Sequence, residues 1–315
     1  MSSNDLLHFR PLYQTRVWGG RQLETFLGRS LPDAQPYGEA WELVDREQEQ
    51  SVVVAGPLAG TSLHALWAER RTEIFGEAYS AHSAARFPLM IKVLDCADDL
   101  SIQVHPPAAK ASLLNGEPKT EMWYVVHADT GARMYAGLAR GVTRESFETA
   151  LEDGSVARCV HALEPAAGDS LFVPSGRLHA LGRGLLVYEI QQNSDTTYRV
   201  FDWNRAGLDG RPRQLHVREA MQCIDFADVE PALCRAGEGG ELAACEHFVV
   251  SRRQTGQGCV MRPGRFRLIM PVTSTRWGSA SLVPGQLSLL PANAAVAGHP
   301  EPRGEWLEIE MPVAG

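Results

Sequence analysis

Asp99-Leu-Ser-Ile-Gln-Val-His-Pro106, followed after a short polar connection by Lys119-Thr-Glu-Met-Trp-Tyr124, carries the strongest signal in this chain. Side chains alternate across a β-strand, so Ser101, Gln103 and His105 share one face while Ile102 and Val104 take the other. Sixteen residues after His105, Glu121 opens a second strand-like run, Glu-Met-Trp-Tyr-Val-Val. If the two strands lie side by side, they bring together an amide oxygen, an imidazole and a carboxylate. That set is one ligand short of a closed four-coordinate metal site.

Working outward, Phe87-Pro-Leu-Met-Ile-Lys-Val-Leu94 reads as an apolar strand broken by a single cation, Lys92. Residues 8–65 give short strands punctuated by Gly and Pro, such as Arg16-Val-Trp-Gly-Gly20 and Ser51-Val-Val-Val-Ala55. Ser62 to Phe75 has helical periodicity, with Leu63, Leu66, Trp67 and Ile74 on one face. Thr143 is placed to cap a helix running to Leu151, with Gly154 beyond its end. Residues 215–226 predict another helix, and strand-and-turn patterns occupy 168–198 and the chain from about 240 onward. Many short strands with few helices make a mainly β sandwich or barrel.

Composition narrows the function. A chain of 315 residues, 44% hydrophobic and 22% charged, has room for two globular domains. Its net charge of −8 excludes a nucleic-acid partner, and an anionic small-molecule substrate needs a local basic pocket. The six cysteines include no Cys-x-x-Cys pair, as expected of reduced thiols in the cytoplasm. No apolar run reaches 18 residues and the N-terminus has no signal-peptide pattern, so no membrane partner is expected. Oligomeric state is not encoded in any of these features.

An internal echo supplies the missing ligand. Gly168-Asp-Ser-Leu-Phe-Val-Pro174-Ser-Gly176-Arg-Leu-His179 has the form G-x5-P-x-G-x2-H, and Gly285 to Pro291 repeats its G-x5-P frame. Glycine permits the turn into the strand and proline ends the pairing. The repeat has Val296 where the first copy has His179. The first copy resembles the second conserved motif of the cupin double-stranded β-helix, whose terminal histidine binds metal. Two cupin-like jelly-roll domains follow: a catalytic domain over 1–225 with short helical insertions, and a degenerate one over 226–315. Gln103, His105, Glu121 and His179 then form a zinc-type ligand set with one anionic member.

Further runs carry a closer resemblance. Arg16-Val-Trp-Gly-Gly20, Gly38-Glu-Ala-Trp41, Ile91-Lys-Val-Leu-Asp95, Leu100-Ser-Ile-Gln-Val-His-Pro106, Lys119-Thr-Glu-Met-Trp-Tyr124, Pro174-Ser-Gly-Arg-Leu-His179 and Glu189-Ile-Gln-Gln-Asn-Ser-Asp-Thr-Thr-Tyr-Arg199 together resemble type I phosphomannose isomerases. The match runs in order from residue 8 to about 205, and the compact length is similar to the short bacterial form. The resemblance implies a zinc-dependent aldose–ketose isomerase, one Zn2+ per chain, interconverting mannose 6-phosphate and fructose 6-phosphate through a cis-enediolate. The family's zinc ligands fall on Gln103, His105, Glu121 and His179. Its active-site arginine falls on Arg199, and Ser101 and Arg205 match phosphate-binding positions. Lys92 and Lys119 take polar or proton-handling roles near the metal. Glu189 is the candidate general base, with Lys119 competing for that role. Many long members have a histidine where this chain has Pro118, so no mechanism needing that imidazole carries over.

Two other classes use the same residues. A cupin with two histidines and one carboxylate can hold iron and activate oxygen. The extra glutamine and the surrounding Lys/Arg set speak against it, since oxygen chemistry needs no phosphate clamp. A non-catalytic sugar-phosphate sensor would keep Ser101 and Arg205 and show no turnover.

Overall fold

The computed structural model describes residues 6–235, 237, 240–256, 264–277, 280–294 and 303–313. Val296, the residue opposite His179 in the internal repeat, lies outside them. The architecture is mainly β, and the chain folds as two compact units that interleave in sequence. One comprises Tyr13–Ala40 and Val93–Glu238; the other comprises Met1–Leu12, Trp41–Lys92 and Gly239–Gly315.

In the first unit a five-stranded sheet runs in the order Tyr198–Phe201, Ile102–Val104, His179–Leu181, Met134–Leu138, Val160–Leu163, with every pair antiparallel. A six-stranded sheet has the order Leu12–Gly20, Tyr37–Leu43, Leu89–Cys96, Leu185–Gln192, Glu121–Ala128, Ser170–Val173, of which the last three strands lie wholly in this unit. Alternation sorts the side chains. Met134, Ala136 and Leu181 of the first sheet meet Trp123, Val125, Leu171, Val173, Leu185 and Val187 of the second in one buried cluster. Ile102, Val104, Ala180, Tyr198 and Val200 point the opposite way, into a cluster covered by the helices Arg144–Asp153 and Val217–Cys223. Burial of these outward residues leaves Gln103, His179 and Arg199 on the inner face.

The expectation that the Gln103 and Glu121 strands lie side by side is wrong. Gln103 pairs directly with His179, while Glu121 sits on the other sheet opposite Gln191 and Val173. The carboxylate and the amide therefore approach each other across the sandwich rather than along one sheet.

The helices follow local signals. Thr143 Oγ1 accepts from the Ser146 N–H at 3.2 Å and Ser146 Oγ accepts from the Thr143 N–H at 2.9 Å, a capping box worth about 1 kcal/mol. Gly154 ends that helix at φ 76°, a left-handed cap that glycine adopts without strain. The helical run after Ser62 is two pieces, Leu63–Glu69 and Arg71–Ile74, because Arg70 leaves helical geometry at φ −127°.

Asp95 offers a stability test in the same unit. It is fully buried; its Oδ2 accepts from the N–H groups of Gln22 (2.5 Å) and Leu23 (3.2 Å), while Oδ1 has no hydrogen-bond partner. Burial pushes its carboxyl up to about 6, against the pull of those two N–H groups. Between the ordinary aspartate range, about pH 4, and that value the folded chain keeps a proton that the unfolded chain has released. Stability from this group therefore falls as pH rises through the window. Asp95→Asn keeps an acceptor and removes the buried charge. It is expected to exceed the parent by on the order of 2 kcal/mol above about pH 7, and to match it below about pH 4. Denaturant unfolding at both pH values checks this, and a difference independent of pH contradicts it.

The second unit is built on a six-stranded antiparallel sheet in the order Leu7–His8, Ser288–Leu290, Arg267–Pro271, Glu305–Glu310, Val249–Gln254, Glu241–Ala244. Trp67, Phe75, Phe87 and Phe266 pack as an aromatic cluster with ring centroids 5.0–5.8 Å apart. Gly285 (φ 74°) turns the chain toward Ser288–Leu290 as Gly168 (φ 91°) does before Ser170–Val173, and Pro291 and Pro174 each follow the strand.

Candidate active site

At one end of the sandwich in the first unit, the inner-face positions change from apolar to polar. Along Glu121–Ala128 the order is Glu121, Trp123, Val125; along Leu185–Gln192 it is Val187, then Glu189, which pairs with Trp123. Across from them stand His179 and Gln103, with His105 just past the end of its strand.

His105, Glu121 and His179 are each at most 1% exposed, and one ligand atom from each lies within 4.8 Å of the others. His105 Nε2 is 3.5 Å from Glu121 Oε2, and His179 Nε2 is 3.5 Å from Glu121 Oε1. The opposite ring nitrogens are fixed. Nδ1 of His105 donates to the Thr196 carbonyl at 2.8 Å, and Nδ1 of His179 donates to the Arg177 carbonyl at 2.9 Å. A carbonyl only accepts, so in the neutral rings both Nε2 atoms carry lone pairs turned toward Glu121. Burial holds both imidazoles neutral. It lowers His105 to about 3, helped by the Lys119 cation, and it lowers His179 as well.

Burial works against ionisation of Glu121, but the Lys119 ammonium beside it holds its carboxyl well below the usual range. Neither Glu121 oxygen accepts a hydrogen bond of proper geometry, although the Lys119 ammonium stands 2.6 Å from Oε2. Two imidazole lone pairs and an ionised carboxylate, all desolvated, are a candidate metal site and suit a small divalent cation. Gln103 adjoins it with Nε2 3.4 Å from His179 Nε2, while its Oε1 accepts from Ser101 Oγ at 3.2 Å. A half-turn of the amide exchanges its oxygen and nitrogen.

The other expected residues divide. Lys119 Nζ lies 3.2 Å from His105 Nε2 and 3.9 Å from Glu189 Oε1. Burial alone would lower the Lys119 pKa, but the Glu121 and Glu189 carboxylates raise it above its ordinary value. Glu189, 4% exposed, accepts from the Trp123 indole N–H at 3.1 Å through Oε2. Arg199 Nε donates to Ser101 Oγ at 3.2 Å, which links it through Ser101 to Gln103. Arg205 is engaged by Asp98 (3.0 Å) and Asp202 (2.9 Å). Lys92 belongs to the other unit, where it is buried with its ammonium 5.5 Å from the centre of the Trp41 ring.

Sequence reading missed the two carbonyls that orient the histidines, since backbone acceptors leave no mark in a sequence. It also missed Trp123 as the partner of Glu189. The signal for that was present: Trp123 is two residues from Glu121 and so shares its face.

Comparisons with known proteins bear on the family. The pattern for the catalytic domain of phosphomannose isomerase type I matches residues 6–120. Mannose-6-phosphate isomerase ManA of Bacillus subtilis (strain 168) is 38% identical over 225 residues, covering 71% of this chain and 69% of the relative. The crystal structure of the mannose 6-phosphate isomerase from Bacillus subtilis superposes with a TM-score of 0.81 at 27% identity, covering 97% of this chain and 99% of the other. A zinc-bound mannose 6-phosphate isomerase shares the fold, with a TM-score of 0.73 at 16% identity over 97% of this chain and 99% of the other. Sequence identity over more than two thirds of both chains, on the same fold, places this protein in the type I phosphomannose isomerase family.

Proposed function

We propose that this chain is a mannose-6-phosphate isomerase whose chemistry is carried by the buried His105–Glu121–His179 cluster and the charged groups around it. That cluster, with both Nε2 lone pairs turned onto an ionised carboxylate, is the observation on which the reading rests. The ion is zinc, one per chain, held by those three side chains and the Gln103 amide oxygen. When bound, zinc supplies a Lewis acid that polarises an oxygen of the open-chain sugar phosphate.

Isomerisation moves a proton from C2 of the aldose to C1 and a hydroxyl proton from O2 to O1, through a cis-enediolate. Glu189 takes the carbon-bound proton and returns it to the neighbouring carbon. What supports this role is a buried carboxylate oriented by the Trp123 indole. Lys119 competes for the same role. As an ammonium 3.9 Å from Glu189 it acts instead as a fixed positive charge beside the base. Arg199 stabilises the enediolate, and Ser101 and Arg205 hold the phosphate. Lys92 packs on the Trp41 ring and is assigned no step.

The division into a catalytic segment, 1–225, and a degenerate one, 226–315, belongs to the same proposal. It is supported by the position of every proposed ligand before residue 180 and by the absence of a His/Cys/Asp/Glu triad among the described residues after 225. No helix among the described residues is long and apolar enough to cross a membrane. Cytoplasmic residence is proposed from the cysteine pattern, with no disulfide among the described residues.

Turnover of mannose 6-phosphate in D2O tests the reaction. Fructose 6-phosphate should form, with solvent deuterium entering at C1, and Glu189→Gln should abolish the exchange while Lys119→Met leaves part of it. No turnover, or oxygen consumption with bound iron in its place, would overturn the assignment.

A further inference from the structure

Beyond the residues that the resemblance points to, a second group of charges surrounds Arg199. The chain leaves the strand Tyr198–Phe201 through Asp202 and Arg205 and returns at Arg213–His216. The returning segment is pinned to the strand. Arg199 Nη1 donates to the Gln214 carbonyl at 3.0 Å, and the His216 N–H donates to the Arg199 carbonyl at 2.7 Å. Arg213 therefore emerges one residue before the carbonyl that the Arg199 guanidinium holds.

Asp202, only 6% exposed, is the hub. Its Oδ2 accepts from Arg213 Nε at 2.6 Å, and its Oδ1 accepts from both Arg213 Nη2 and Arg205 Nη2, the latter at 2.9 Å. Arg205 Nη1 reaches Asp98, a carboxylate with 56% of its side chain exposed. Arg205 and Arg213 thus share one buried carboxylate, Arg205 also reaches one well-solvated one, and Arg199 beside them pairs with neither. The excess is felt at Arg199, whose pKa is lowered by burial first and then by the Arg213 and Arg205 cations, with Asp202 opposing.

A structural ion pair needs no such surplus, since packing like charges together costs stability unless an anion joins them. Donors also remain. Among the described residues Arg199 Nη2 and Arg213 Nη1 donate to no protein acceptor, and Arg205 Nε is buried without a partner. Asp202 engages one edge of the Arg213 fork and leaves Nη1 for a second anion, a geometry matched to phosphate oxygens.

We propose that Arg213 is an additional phosphate-binding residue and that Asp202 is the positioning residue that holds Arg213 and Arg205 as a pair for the substrate's phosphate monoester. The proposal rests on the isomerase reading above and deepens it. It also gives Arg205 a partner: the phosphate meets two guanidinium groups fixed by one carboxylate, and Arg199 stays available to the reacting carbons.

The test compares the parent with Arg213→Ala, Arg213→Gln, Arg213→Lys and Asp202→Asn, with zinc quantified in each. Steady-state kinetics on mannose 6-phosphate is measured beside calorimetric titration of inorganic phosphate. In Arg213→Ala and Arg213→Gln, KM and the phosphate Kd should rise together by about 10- to 100-fold, the loss expected for one charge-assisted contact. Zinc content should hold, and kcat should stay within about threefold, because the phosphate lies away from the reacting carbons. Arg213→Lys should recover part of the affinity. Asp202→Asn should raise KM while both arginines remain, and adding Arg213→Ala to it should cost little more, as expected of residues acting as one unit. Arg213→Gln, near the native length, keeps the comparison available if the alanine variant folds poorly. KM and phosphate Kd within about twofold of the parent in a folded Arg213→Gln protein would overturn the proposal. Turnover by the parent with no Arg213 effect removes this proposal alone. Arg213-dependent phosphate binding without turnover removes the isomerase reading and leaves the phosphate site standing.

Discussion

Replacing His179 with alanine is expected to strip the metal and the activity together. His179 stands directly opposite Gln103 in the sheet, its Nδ1 is committed to the Arg177 carbonyl, and its Nε2 is 3.5 Å from Glu121. Backbone pairing and that carbonyl fix the ring. Loss of an orienting partner alone commonly costs 10- to 100-fold in metal affinity, and loss of the ligand itself should cost at least about 100-fold in both metal retention and turnover. The variant also opens a cavity in a fully buried site, so circular dichroism and a thermal midpoint must accompany the metal analysis. A folded Arg177–His179 region with zinc and turnover retained in the alanine variant would remove His179 from the ligand set.

Arg199→Ala should separate chemistry from metal binding. The Arg199 side chain reaches Gln103 only through Ser101, whereas the ligand atoms of His105, Glu121 and His179 lie within 4.8 Å of one another without involving it. Zinc content should therefore persist. If the guanidinium stabilises the enediolate, its contact strengthens as charge develops, and its loss falls on kcat. Removal of one such electrostatic donor costs on the order of 10²–10³ in rate. Arg199→Lys keeps the charge but loses the fork that spans Ser101 and the Gln214 carbonyl, so it should recover only part of the rate. Steady-state kinetics of the two variants with zinc quantified in each makes the check. A raised KM with kcat intact would make Arg199 a binding residue and leave the enediolate to the metal or to Lys119.

Much of the site was legible because strand alternation is strict. Once Ile102 and Val104 are apolar, Ser101, Gln103 and His105 must face the other way, and the Ser101–Gln103 hydrogen bond follows from that shared face. The Gly168-to-His179 motif was legible for a similar reason, since the turn glycine and the strand-ending proline fix where the histidine falls. Strand partnership was not legible. Sixteen residues between His105 and Glu121 fit a local pairing, but Gln103 pairs with His179, far along the chain, and Glu121 lies on the opposite sheet. Pairing between distant strands is decided by which apolar faces meet, and no local signal records it. The Asp202 hub was hidden in the same way. Asp202 and Arg213 are ordinary charges in a polar stretch until the Arg199–Gln214 contact folds that stretch back.

Metal content and turnover measured on one preparation, before and after chelation and again after zinc is returned, test the central claim most directly. The purified protein should carry one zinc per chain. Chelation should remove the metal and the conversion of mannose 6-phosphate to fructose 6-phosphate in proportion, and zinc should restore both. Full turnover by metal-free protein would contradict the assignment of Gln103, His105, Glu121 and His179 as the ligands of a catalytic ion.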